Sequence, residues 1–257
     1  MQIKNDRAAW LMAGNARCSV IPQPQANPKR FVLLGAPGVG KGTQAEFLKS
    51  HFSACHLSTG DIFRAAKTAT AHSPVMSIAL DCMKRGELVL DETVLNLVEE
   101  RSRCLVCGGG FLLDGFPRTV PQAKALEKLL AKLKVRLDAV LDYRLPLKTI
   151  IARLSGRRTC PNCKAVYHVQ SLPPKQEGLC NHCGGVLYQR DDDKPEAIRV
   201  RMAAYTKNAA PLKAFYKRRN LLVPVHSAGT PEETFKRTLE ALEIRKPVIA
   251  DEQKILC

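Results

Sequence analysis

Apolar residues in this chain fall in short unbroken runs, separated by stretches in which they recur at helical spacing. This is the pattern of strands buried on both faces alternating with amphipathic helices. The run Phe31-Val-Leu-Leu34 comes first and empties into a glycine-rich turn, then a helix-compatible segment over residues 40–48. The runs Phe111-Leu-Leu-Asp114, 138–143 and 221–225 predict further strands. Between Pro74 and Arg85, Val75, Ile78, Ala79, Cys82 and Met83 keep helical spacing, and Gly86 ends the element. Asp91 is expected to cap a helix that turns Val94, Leu95, Leu97 and Val98 inward. Ser58 or Thr59 suits the cap of a helix carrying Arg64, and Pro121 the first turn of one reaching about Lys134. Residues 146–154 predict another helix, Asp193 is expected to cap the next, and Thr230-Pro-Glu-Glu233 reads as a capping box for the last. Strands and helices alternating through short connections imply an α/β fold with a parallel, doubly wound sheet, helices on both faces and right-handed crossovers. The first run becomes its central strand, and ligands are expected beyond the carboxyl ends of the strands.

From Gly156 to Asp193 that pattern breaks into turn formers and cysteines, which marks a small insertion. Cys160-Pro-Asn-Cys163 and Cys180-Asn-His-Cys183 are two C-x2-C knuckles with sixteen residues between them. Such spacing brings four thiolates onto one tetrahedral zinc, and four protein ligands make the site structural. Redox chemistry is the alternative for paired knuckles. His168 and His182 read as bystanders, and Cys104-Leu-Val-Cys107, without a partner pair in sequence, as packing or loop cysteines.

The 257 residues, 45% hydrophobic and 25% charged, have the composition of an ordinary globule with room for one α/β domain and an insertion. No apolar run approaches the roughly 18 residues of a membrane span. A net charge of +16 attracts polyanions, and nucleotides, nucleic acids and acidic membranes all qualify. Ten cysteines in a long chain without a secretory leader favour a reducing compartment, the cytoplasm. Residues 1–28 are weakly basic and end in a Pro/Gln-rich stretch, which reads as a loose extension; an organellar targeting peptide, placing the protein in the mitochondrial matrix, is the alternative. Residues 244–257 read as a frayed tail.

The turn after the first strand carries the chemistry. Gly35, Gly38 and Gly40 permit conformations and close approaches a Cβ would forbid, so successive N–H groups converge on an anion. Lys41 adds a mobile positive charge, Thr43 a hydroxyl suited to magnesium, and the following helix aims its positive end at the same place. The pattern is nearly G-x-x-x-x-G-K-[ST], with Gly42 interposed, and its expected ligand is a nucleoside triphosphate. Asp114, closing a neighbouring apolar strand, is placed to hold the magnesium shell, or simply starts the turn at Gly115. Arg64, Arg118, Arg153, Arg157, Arg190 and Arg201 lie on sheet-end segments or around the insertion, and guanidinium forks suit phosphate oxygens.

Taken as a series, Gly-Ala-Pro-Gly-Val-Gly-Lys-Gly-Thr-Gln44, Ser-Thr-Gly-Asp-Ile-Phe-Arg64, Gly-Glu-Leu-Val89, Asp-Gly-Phe-Pro-Arg-Thr119 with Gln122, Gly-Arg-Arg158 and Arg190-Asp-Asp-Asp193 resemble the motifs of adenylate kinases. The resemblance runs from about residue 30 to 243, and the cysteine-bearing insertion is similar to the zinc-binding LID of the long form. It implies a five-stranded P-loop core over 29–155 and 194–243, a helical monophosphate-binding lobe over 59–90 and a LID over 156–193. It further implies reversible transfer of the γ-phosphoryl of Mg·ATP to AMP, giving two ADP, by a monomer with structural zinc and no nucleic-acid or membrane partner. By match, the ATP side comprises Gly35, Gly38, Val39, Gly40, Lys41, Gly42, Thr43, Arg153, Val166, Tyr167 and Gly229. The AMP side comprises Thr59, Arg64, Glu87, Leu88, Val89, Gly115, Arg118, Gln122, Arg190 and Arg201, with Gln122 reading the base. Lys41, Asp114, Arg118, Arg153, Arg157, Arg190 and Arg201 would serve transfer, and Asp192 and Asp193 would orient the LID arginines. Two departures stand out: Pro231 where the family often has lysine, and residues 68–74, which lack the usual glycine-containing turn. A kinase for another nucleoside monophosphate and a zinc-ribbon nucleic-acid-binding protein are the competing readings.

Overall fold

In chain order the elements are α1 (Ala8–Met12), β1 (Lys29–Gly35), α2 (Lys41–Phe52), β2 (Cys55–Ser58), α3 (Thr59–Ala66), α4 (Pro74–Arg85), α5 (Asp91–Glu99), β3 (Gly110–Asp114), α6 (Val120–Lys132), β4 (Ala139–Arg144), α7 (Leu147–Ser155), β5 (Arg157–Thr159), β6 (Val166–His168), α8 (Pro195–Lys217), β7 (Leu222–His226) and α9 (Pro231–Glu243). They come from a computed structural model that describes residues 8–12, 16–18, 23–66, 74–163 and 165–244. Five strands form one sheet in the order β2-β3-β1-β4-β7, parallel throughout, with β1 in the centre as expected.

Alternation along each strand divides the core in two. Val32, Leu34, Phe111, Leu113 and Val140 face α3, α5, α6 and α8, packing on Ile62, Val98, Leu126 and Phe215. Phe31, Leu33, Leu112, Leu141 and Val225 face the other way, onto Ala45 and Leu48 of α2 and Phe235 and Leu242 of α9. Burial on both faces is why the strands read as unbroken apolar runs. The insertion holds the antiparallel pair β5–β6.

Local signals explain several element ends. The Ser58 hydroxyl accepts from the Asp61 amide (3.3 Å) at the start of α3. The Thr119 hydroxyl accepts from Gln122 N, with Pro121 in the first turn of α6. Thr230 and Glu233 form both bonds of the capping box on α9.

Two expected caps are corrected. Leu90, not Asp91, is the N-cap of α5, and Asp91 instead accepts from Thr119 Oγ1 (2.9 Å) and Gln122 Nε2 (2.6 Å). Lys194, not Asp193, is the N-cap of α8. Asp193 is fully buried in a 3₁₀ turn and engages arginines. In each case a tertiary partner outbids the local backbone for the carboxylate. The extension expected over residues 1–28 is ordered in part: α1 forms a short helix, and Trp10 is completely buried. Residues 68–73 and the tail beyond Ile244 lie outside the described residues.

Candidate active site

β1 delivers the chain into the glycine turn. Gly35, Gly38 and Gly40 have φ of 136°, 78° and 104°. A Cβ on Gly35 would stand 2.6 Å from the Tyr143 carbonyl oxygen, and one on Gly38 2.6 Å from Leu154 Cγ, so conformation and space both demand glycine. Gly42 is under neither constraint: a Cβ there would meet nothing within 4 Å. Gly40, the N-cap of α2, offers no side-chain acceptor, which leaves the first-turn amides to an anion.

Lys41 folds back over this turn, donating to the carbonyls of Gly35 (2.9 Å) and Ala36 (3.0 Å). Burial, joined by the charges of Arg118, Arg201 and Arg157, lowers its pKa to about 8 against the opposing pull of Asp114. Val39 is buried beneath the turn, and Thr43 is exposed at its edge. Gln44, part of the motif but given no role from the sequence, donates from Nε2 to the Pro231 carbonyl (2.8 Å) and ties α2 to the loop carrying Gly229. Gly229 has φ 87°, and Arg153 reaches the Ser227 carbonyl of the same loop at 3.4 Å. Pro231 thus contributes through its carbonyl.

Asp114 ends β3 beside this turn. Burial pushes its carboxyl up, but the bond from His56 and the charge of Lys41 outweigh that and hold it below the usual carboxylate value. His56 Nε2 stands 3.5 Å from Asp114 Oδ2, and its Nδ1 lies 3.2 Å from Glu46. His56 went unread in the sequence because β2, only four residues with polar His and Ser, did not register as a strand.

Next to Asp114 opens a cleft of about 610 Å³, part of it open to solvent. Thr59, Arg64, Glu87, Leu88, Val89, Gly115, Arg118, Gln122 and Arg201 line it together with Asp192; Arg190 does not. Gly115, at φ 82°, allows the walls to close: a Cβ would come within 2.8 Å of Thr59 Oγ1. Arg64 is held by Asp61 (2.6 Å), and Arg118 donates from Nε to the Gly115 carbonyl (2.7 Å). Gln122 is oriented from both ends, accepting from the Arg118 amide (2.7 Å) and donating to Asp91 (2.6 Å). Asp91 is the residue that the sequence assigned to capping and the structure assigns to fixing Gln122.

The arginines of the insertion are gathered by acids at the start of α8. Asp193 takes a two-pronged pair from Arg157 (Nε 2.7 Å, Nη2 2.6 Å) and a third bond from Arg201 (3.2 Å). Asp192 lies 3.0 Å from Arg201. Burial and crowding by other cations lower Arg118, Arg190 and Arg201, the last two despite Asp192 and Asp193. Arg190 turns to the Thr159 hydroxyl (3.0 Å).

Four sulfurs, Cys160, Cys163, Cys180 and Cys183, lie within 4.8 Å of one another, with Cys160–Cys183 and Cys163–Cys180 at 3.4 Å. Tetrahedral zinc with bonds near 2.3 Å needs sulfurs about 3.8 Å apart, so the donor set fits. Tyr167 is turned into this cluster, its hydroxyl 3.5 Å from Cys180 Sγ and accepting from the Asn181 amide (2.8 Å). Its side chain therefore belongs to the insertion's core and leaves only backbone to face a nucleotide, whereas Val166 is exposed.

Known proteins resemble this chain in sequence. The adenylate kinase family model matches residues 33–221. An adenylate kinase of Carboxydothermus hydrogenoformans is 46% identical over 214 residues, 83% of this chain and 99% of that protein. One from Salinispora tropica is 47% identical over 213 residues, and one from Methanocella arvoryzae 46% over 197, covering 97% and 90% of those proteins and 83% and 76% of this chain. With a glycine cradle, an arginine-lined cleft and a four-thiol insertion in one chain that matches such relatives over almost their whole length, this chain belongs to the adenylate kinase family.

Proposed function

We propose that this chain is a phosphotransferase moving the γ-phosphoryl of Mg·ATP to AMP and back, with the site residues acting as follows. The supporting observation is continuity of charge: Lys41 of the phosphate turn feels Arg118, Arg157 and Arg201, which belong to the cleft and the insertion. Two phosphate chains bound from the two sides therefore meet among the same cations. The cradle amides and Lys41 hold the β- and γ-phosphates of ATP, with Arg153 and the Gly229 loop along the nucleotide. Thr59, Arg64, Glu87, Leu88, Val89, Gly115 and Arg118 receive AMP, and Gln122 meets its base. Asp114, kept ionised, and Thr43 face the magnesium that arrives with ATP, whose charge offsets that of the phosphates. Arg157, Arg190 and Arg201 close on the transferred group, carried by the insertion and α8. Transfer between phosphates depends on in-line placement and neutralised charge, and closure keeps water from taking the phosphoryl group.

The working division is a core of residues 29–155 and 194–243, a monophosphate lobe within 59–90 and a LID over 156–193. The chain is assigned as a monomer, and the free thiols suit a reducing compartment, the cytoplasm. Among the described residues no helix is long and apolar enough to cross a membrane. Zinc is assigned to the four thiolates, where it holds together an insertion too small to keep a core of its own.

Replacing Lys41 by Ala should leave the protein folded and lower AMP-dependent ADP formation by at least about 10²-fold, the scale of one lost electrostatic stabiliser. Unchanged turnover would remove Lys41 from the mechanism. Near pH 8 the free protein carries Lys41 about half protonated, and an anionic phosphate favours its charged form. ATP binding at pH 8 should therefore take up a fraction of a proton, and much less at pH 6.5. Titration calorimetry in buffers of different ionisation heat reads this directly; identical heats at pH 8 would contradict it. Elemental analysis should find one zinc per chain, and Cys160→Ser should lower the melting temperature. A metal-free wild type of equal stability would overturn the zinc assignment.

A further inference from the structure

Trp10 is the only tryptophan of the chain, and it lies ahead of the stretch that the family model matches. It is nevertheless completely buried, packed in the same core as Leu57, Ile62 and Val98. Its indole Nε1 donates to the Ser58 carbonyl at 2.9 Å. Its own carbonyl accepts from Arg101 Nε at 2.6 Å. Arg101, whose side chain is only 5% exposed, also donates from Nη1 to the Leu97 carbonyl (2.8 Å) and pairs with Glu100 (3.0 Å). One residue thus touches the start of α3 and, through a buried guanidinium, the end of α5.

Those are the helices that build the cleft. α3 begins immediately after Ser58 and carries Thr59, Gly60, Phe63 and Arg64 into the cleft wall. α5 begins with Asp91, which fixes Gln122, and supplies Val94 to the lining. The segment is tied down again beyond α1: Arg103 donates to the Ala16 carbonyl, the Gln25 amide to the Gly108 carbonyl (3.0 Å), and Pro24 packs on Gly108. These anchors lie on different parts of the chain.

We propose that α1 acts as a strap on the monophosphate side of the enzyme, with Trp10 as a positioning residue that sets α3 against α5. The proposal rests on reading the cleft as the AMP site. Loss of the indole removes the donor to Ser58 O and the buried ring that packs with Ile62 of α3 and Val98 of α5, leaving only the main-chain bond from Arg101, so the two cleft walls lose their shared support. The ATP cradle, built on β1 and α2, makes no contact with Trp10 in this network and should be little affected. A buried hydrogen bond of this kind accounts for up to about tenfold in affinity.

Because Trp10 is the sole tryptophan, the intact protein reports on it. With excitation selective for tryptophan, the emission should be that of a buried indole and should change on titration with AMP, with a smaller response to ATP. Kinetically, Trp10→Ala should raise KM for AMP about tenfold while KM for ATP stays within about twofold. Trp10→Phe, which keeps ring packing but lacks the donor, should fall between and serves if the Ala variant does not fold. A solvent-exposed emission, or variants that lose thermal stability with both KM values unchanged, would overturn the positioning role. Should the wild type form no ADP from AMP at all, the reading of the cleft fails instead; a buried emission unresponsive to any nucleoside monophosphate would then overturn the strap's role as well.

Discussion

Like charges repel, and this fold brings Lys41, Arg64, Arg118, Arg157, Arg190 and Arg201 close enough to feel one another's charge, most of them partly buried. The cost appears in Lys41, whose charged form is disfavoured by burial and by its cationic neighbours until its pKa falls to about 8. Few carboxylates stand against it. Asp114 serves Lys41, Asp61 holds Arg64, and Asp192 and Asp193 hold Arg201 and Arg157. These acids orient the cations without neutralising the whole set, so the site is preorganised for a ligand with many negative charges. Two phosphate chains supply them.

The sheet makes that arrangement possible by being rigid on both faces. Its central strand, packed on two separate cores, fixes the glycine turn, and β3 fixes Asp114 one strand away. The more peripheral parts meet the site through pairs that can exchange partners: Asp193 with Arg157, Asp91 with Gln122, Lys41 with backbone carbonyls. Each bond occupies in the free protein a group that the substrate reading assigns to a ligand. On that reading, binding exchanges one satisfied partner for another, so that a buried charge need not be left bare.

Much of this was legible in the sequence because the responsible signals are local. An apolar run before glycines, a lysine, two C-x2-C knuckles and a threonine capping box each announce themselves within a dozen residues, and the structure has each in place. The misreadings come from residues with two opportunities. Asp91 and Asp193 each precede a helical pattern and look like caps, yet each goes to a partner brought near only by folding. His56 sits in a strand too short and too polar to show a period. Trp10 stands in a segment with no period at all, where nothing local distinguishes a buried indole from an exposed one. Tyr167 keeps its expected place beside the nucleotide only through its backbone, because the thiol cluster engages its side chain.

The account's central claim is that the cation-lined cleft receives a nucleoside monophosphate as phosphoryl acceptor, with AMP the one it fits. Product analysis with Mg·ATP and, separately, AMP, CMP, UMP and GMP, against a control without acceptor, tests it most directly. ADP formation fastest with AMP is the predicted result. No acceptor-dependent ADP with any of the four would contradict it.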